Sequence, residues 1–187
     1  DTQELYGVGR KECDHFARQC LTARRLVERN VRFVQIYSGG MDNQLSWDGH
    51  TDIKGNHQQF ADETDRPVAA LLTDLKRYGL LDETLVICGG EFGRTPKINA
   101  QRGRDHWGPC FFGLFAGAGV QGGQVIGRSD VTGAYPATRA FSPNDVAATV
   151  YHLLGLPAEV EVTDRLGRRV RLNKGDVIES LFNGTSV

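Results

Sequence analysis

Two apolar runs constrain the fold of this chain more than any other feature. VRFVQIYSGG (31–40) and TLVICGG (84–90) are rich in β-branched residues, and each ends in paired glycines. Such side chains suit a pleated, packed surface, so the runs predict strands at Val31–Tyr37 and Thr84–Cys88. The second run is continuous in apolar character, as a strand covered on both faces would be. Each opens onto a polar segment without period, 39–57 and 89–107. Both are longer and more polar than a simple connector requires, and loops of that kind usually carry function or remain disordered.

Helical patterns separate the runs. In KECDHFARQCLTARRLVERN, residues Phe16, Cys20, Ala23 and Val27 recur at three- and four-residue intervals, which predicts a helix over Glu12–Asn30 with Asn30 as its stop. A second helix is expected over Gln58–Tyr78, with Val68, Leu71, Leu72 and Leu75 on its buried face. Pro67 marks a break or the first turn of its second part, and Gly79 ends it. FFGLFAGAGV (111–120) predicts a third strand and GQVIGRSD another short one. SPNDVAATVYHLLGL carries a full set of helix signals. Ser142 is the N-cap, Pro143 the first helical residue, Asp145 faces the positive end of the dipole, and Gly155 and Pro157 close the helix. LGRRVRL (166–172) reads as a basic strand or hairpin. This alternation predicts an α/β sandwich around a largely parallel central sheet, in one domain over 1–187 with 158–187 as a short appended strand and tail. In such sheets ligands sit beyond the carboxyl ends of the strands, where both polar segments would meet.

Charge narrows the partners. The 187 residues carry 22 Lys and Arg against 23 Asp and Glu, a net charge of -1. Bulk charge therefore attracts neither nucleic acid nor a membrane surface. No apolar run approaches the roughly 20 residues that span a bilayer, and no basic start followed by an apolar segment signals export. Of the cysteines, Cys13 and Cys20 stand seven apart, about 10 Å along a helix axis, too far to bridge. All four, with Cys88 and Cys110, are expected as free thiols, and Cys88 as a small buried residue.

The polar segments carry chemistry. His50 lies in WDGH and His106 in GRDHW, while His15 and His152 fall within helices. The donors on the two segments are Asp48, His50, Asp52, His57, Glu91, Asp105 and His106. A mixed carboxylate and imidazole set suits zinc, manganese or iron and has enough members for a pair of ions. Arg94 has the forked geometry to hold an anionic group. The competing reading is structural: turn-forming aspartates, solvated histidines and an ordinary ion pair between Glu91 and Arg94 or Arg104.

The motifs WDGH, GGEFGRTPKIN, GRDHW, AGAGVQGGQVIGRSD and SPNDVAATVYHLLGL resemble a bacterial family of unknown function related to the sulfatases and alkaline phosphatases. The resemblance runs from LYGVGR to LGRRVRL. It implies a three-layer α/β/α fold, two adjacent metal positions, hydrolysis of phosphate or sulfate esters, and an exported protein. Carried over by motif, Asp48 and His50 are loop ligands of one metal that His106 completes, and Glu91 is a ligand of the second. The cofactor so implied is a divalent metal, zinc first, with manganese, calcium or iron as alternatives. The partner is a small anionic ester held by Arg94. Two departures stand out. The ligands are spaced Asp-x-His, where the wider superfamily has Asp-x-x-x-His. Phe92 follows Glu91 where a second ligand is common. By the same resemblance the chain corresponds to the C-terminal half of a longer protein. Its only candidate hydroxyl nucleophiles are then Ser46, Thr51 and Thr95, none within a motif. The first reading is a metal-dependent hydrolase in partial form; the Glu91-Phe92 departure and the missing nucleophile favour the alternative, a non-catalytic binding module that keeps the fold and at most one metal.

Overall fold

The computed structural model describes residues 1–39 and 46–184; residues 40–45 of the first polar segment lie outside the described residues. The chain divides into two compact units, Asp1–Gly117 and Ala118–Val187.

The first unit is built on three helices, α1 (Thr2–Tyr6), α2 (Asp14–Val27) and α3 (Ile53–Arg77). The apolar faces expected from periodicity make its core. Phe16, Ala17, Cys20 and Leu21 of α2 pack with Ala70, Leu71 and Leu75 of α3 and with Tyr6. Asn30 ends the α2 region in the left-handed conformation, φ 62°, and Gly79 does the same after α3, φ 69°. Pro67 lies inside α3 and is buried.

A charged pair is sealed into this core. Arg24 is 6% exposed and Asp74 1%, with Arg24 Nε 3.4 Å from Asp74 Oδ2. Glu28 accepts from the other end of the same guanidinium at 2.5 Å, and the Tyr78 ring lies 4.8 Å beneath it. The Tyr6 hydroxyl is buried beside them; burial first, and the Asp74 charge second, push its pKa up. Ions taken out of water need one another here, because desolvation of a lone charge costs several kcal/mol.

The expected parallel sheet is not what forms. The described strands pair only in twos, all antiparallel. β1 (Val86–Gly89) pairs with β4 (Gly113–Ala116) in the register Val86↔Ala116 and Gly89↔Gly113. Nested between them, β2 (Gly93–Arg94) pairs with β3 (His106–Trp107). The α/β sandwich, and the three-layer α/β/α form implied by the motif resemblance, are therefore corrected to helices with small antiparallel ladders. The physical reason is that composition and period report burial and not strand direction, and here the chain simply doubles back between its second and third apolar runs. Residues 31–38 lie in no strand. Val34 and Ile36 are half-buried while Phe33 and Tyr37 are 68% and 70% exposed. The segment keeps the alternation of a strand without a ladder. Cys88, expected inside, is exposed because the two-stranded ladder is not covered on both faces. None of the four cysteines forms a disulfide.

In the second unit α4 (Pro143–Leu153) starts as its sequence demands. Ser142 Oγ accepts from Asp145 N, and Asp145 Oδ2 accepts from Ser142 N at 2.6 Å, a closed capping box. Asp145 Oδ1 also accepts from Asp176 N at 2.9 Å, and buried Thr149 accepts from Ile178 N at 3.0 Å. One helical turn thereby anchors the segment that leads into α5 (Ser180–Asn183). LGRRVRL, expected as a strand or hairpin, supplies one strand of a hairpin: β6 (Arg169–Arg171) pairs with β5 (Glu161–Thr163). GQVIGRSD makes no strand, only the single bridge Ser129↔Pro136.

Two outcomes follow. Arg24→Ala leaves Asp74 buried without its cation, so denaturant unfolding should show a loss of roughly 3–5 kcal/mol, and the double change Asp74→Leu with Arg24→Leu should lose clearly less. For Asp145, burial alone would raise the pKa, but the Ser142 and Asp176 amides outweigh it and hold the carboxyl below its ordinary 3.8. A depressed carboxyl stabilises above its unfolded value and loses that contribution as pH falls through the folded one. Asp145→Ala should therefore lower Tm at neutral pH, and the gap to the unmodified chain should close below pH 3.8.

Candidate metal centre

The two polar segments come together, though not at the edge of a parallel sheet. Residues 49–53 run against 101–104 as a short antiparallel contact. Asp52 N donates to Gln101 O at 3.1 Å, Ile53 N to Arg102 O at 3.0 Å and Arg104 N to Gly49 O at 3.0 Å, around the bridge Thr51↔Arg102. Two non-glycine residues at this crossing, Asp52 and Arg102, hold positive φ of 44° and 60°, a strained arrangement that surrounding contacts must enforce. Gly103 makes the approach feasible: a β-carbon there would lie 1.8 Å from His50 O.

Asn99 ties the crossing to its side chains. Its Nδ2 donates to His50 O at 3.0 Å and to Asp105 Oδ1 at 3.1 Å. Its Oδ1 accepts from Gln101 N and Gly103 N at 3.0 and 2.9 Å. The β2–β3 ladder then sets Arg94 opposite His106. Thr95 N donates to Asp105 O at 2.9 Å, and Arg104 braces the turn by donating to Thr95 O and Pro96 O.

Three of the residues expected as ligands converge. His106 Nε2 lies 2.8 Å from Asp48 Oδ1, His50 Nε2 3.2 Å from the same oxygen, and the two Nε2 atoms 3.1 Å apart. Tetrahedral zinc with ligands at about 2.0–2.2 Å separates its donor atoms by about 3.3 Å. The triangle thus has the size of one face of such a site, and Asp48, His50 and His106 could hold a metal ion together. The group is open to solvent, with side chains 44%, 44% and 50% exposed. Two imidazoles and one carboxylate are a donor set that zinc accepts.

Glu91 is exposed and stands outside this group, and among the described residues no second such group forms. Arg94 is at the site, but its Nη1 donates to Asp48 Oδ1 at 2.5 Å and its Nη2 to Trp47 O at 3.4 Å. Phe92, which cannot bind a metal, stacks 4.3 Å from the His106 ring and 5.6 Å from the Arg94 guanidinium. It walls the site on that side. His57 is instead held edge-on to Trp47 at 5.4 Å, and burial, followed by the charges of Arg94 and Arg104, lowers its pKa from 6.5.

Electrostatics favour ionised carboxylates here. Burial alone would raise the Asp48 pKa, but hydrogen bonds from His106 and Arg94 prevail and lower it. Asp105 is lowered by hydrogen bonds from His50 and then Asn99. Sequence reasoning did not single out Asn99, and it read Asp105 only as one more donor. The available signal was the turn chemistry of NAQRG, an asparagine able to bond its own loop backbone four residues before a glycine.

Gly103→Ala should force residues 49–53 and 101–104 apart. Amide exchange at Asp52, Ile53 and Arg104 should accelerate by about tenfold or more, whereas Gly108→Ala, with nothing within 4 Å of the added carbon, should leave it unchanged.

The crossing, the donor triangle and the capped helix α4 all fall inside one continuous match. No curated protein and no solved structure matches the chain. A family model described as "Protein of unknown function (DUF1501)" matches residues 1–182, and the chain belongs to that family.

Proposed function

We propose that this chain binds one divalent metal ion, zinc first, through Asp48, His50 and His106, and takes part in metal-dependent hydrolysis of phosphate or sulfate esters. The observation that carries the metal reading is the donor triangle of 2.8, 3.1 and 3.2 Å. The ester chemistry is supported by the likeness of WDGH, GGEFGRTP and GRDHW to motifs of proteins related to sulfatases and alkaline phosphatases, and the expectation of export comes from the same source.

A divalent ion supplies positive charge that offsets negative charge on a transferring group and acidifies an oxygen nucleophile. The chain's own residues do the rest. Asp48 would contribute the anionic ligand, and Arg94 steadies it by donating to the same Oδ1. A forked donor such as Arg94 matches an anionic ester. Phe92 covers one side of the His106 ring.

A binding module without turnover is the second reading, and one observation favours it. The Thr95 hydroxyl donates to Lys97 O at 2.9 Å and accepts from Asp105 N at 3.1 Å, so that candidate nucleophile is engaged in holding its own loop. Elemental analysis of the purified chain separates the readings when paired with an aryl phosphate and aryl sulfate assay. The expected result is about one zinc per chain, lost in His106→Ala with folding intact. Hydrolysis that needs added metal supports the hydrolase; stoichiometric zinc with no hydrolysis supports the binding module. A folded chain that retains no metal sinks both.

A further inference from the structure

We propose that Asp105 is the positioning residue for His50, holding the ring by Nδ1 so that the Nε2 lone pair faces Asp48 and His106. The inference rests on the metal reading for its functional consequence, but its geometry stands apart from it.

His50 Nδ1 lies 3.0 Å from Asp105 Oδ1. An ionised carboxylate only accepts, so the proton of a neutral His50 sits on Nδ1. That leaves Nε2 as the acceptor, and Nε2 is the atom 3.2 Å from Asp48 Oδ1 and 3.1 Å from His106 Nε2. Free imidazole side chains prefer the opposite tautomer, with the proton on Nε2, which would occupy the very lone pair a metal requires. A carboxylate behind a metal-ligating histidine is a recurrent means of setting tautomer, orientation and basicity together.

Asp105 is itself held for the task. Asn99 Nδ2 donates to the same Oδ1 at 3.1 Å. Its backbone is clamped on both sides, with Thr95 N donating to Asp105 O at 2.9 Å and Asp105 N donating to Thr95 Oγ1 at 3.1 Å. Asn99 also donates to His50 O, so one amide group locates both members of the pair. The carboxylate stays outside the group of metal-ligating atoms. Its neighbour in sequence, His106, supplies one ligand, while Asp105 orients another.

The test has two arms on the full chain. The first reads the His50 tautomer by ring nitrogen chemical shifts in the metal-free protein, at a pH where the imidazoles are neutral. The proton is expected on Nδ1 in the unmodified chain and on Nε2 in Asp105→Ala. Asp105→Asn, whose amide oxygen can still accept, should restore the first state. The second arm titrates zinc, with affinity expected to weaken about 10- to 100-fold in Asp105→Ala and less in Asp105→Asn. Amide exchange at Asp52 and Ile53, unchanged in both variants, excludes simple loosening of the loops. An unchanged tautomer in Asp105→Ala overturns the proposal whether or not zinc binds. Equal zinc affinity in all three chains overturns it as well. A tautomer change in a chain that takes up no zinc sinks the metal reading and leaves the orienting role of Asp105 standing.

Discussion

The candidate centre depends on one backbone contact, the antiparallel approach of residues 49–53 to 101–104. Every side chain in the donor triangle sits on or next to it, and α3 begins at Ile53, directly out of it. The contact is tight enough that only glycine fits at 103. It also holds Asp52 and Arg102 in the left-handed region, which costs on the order of 1–3 kcal/mol each. The compensation comes from neighbouring hydrogen bonds, chiefly the two Asn99 amide bonds that reach His50 and Asp105. Asn30 and Ala118 also hold positive φ, but among the described non-glycine residues only Asp52 and Arg102 do so within a few residues of the candidate donors.

Charge organises the molecule at two depths, with different consequences. In the core, Arg24 and Asp74 are paired away from water, where neither can be removed alone without leaving a buried ion. At the candidate centre the ions are half in solvent. There Asp48 gathers an arginine and two imidazoles around a single oxygen, and the interactions are weakened by water and salt. The first arrangement favours one packing of three helices. The second collects donors with little compensation from burial.

The small ladders carry more structural weight than their length implies. A two-stranded hairpin is marginal in water by itself, and β2–β3 spans only Gly93–Arg94 and His106–Trp107. Its neighbours hold it: Arg104 and Asn99 fill the loop between its strands, and β1–β4 brackets its ends. Its register places Arg94 across from His106, so both reach Asp48.

Local signals in the chain determined most of its helices. The apolar spacing of Phe16, Cys20, Ala23 and Val27, the stops at Asn30 and Gly79, and the Ser142–Pro143–Asp145 start of α4 are each settled within a few residues. Helix formation is itself a local matter of period and caps. The type of the candidate donors was also legible, because few residues other than Asp, Glu, His and Cys bind metals and those here are concentrated in two polar segments. Strand direction was not legible. Val31–Tyr37 and Thr84–Cys88 have strand composition, yet only the second finds a ladder, and that ladder is antiparallel, since pairing joins residues far apart in sequence. Nor could spacing distinguish Asp105 from Asp48. Both are aspartates next to or near histidine, but the fold turns one carboxylate toward the shared nitrogen atoms and the other toward the back of the His50 ring. That distinction arises only when two segments more than fifty residues apart are brought within hydrogen-bond distance, and no local pattern specifies it.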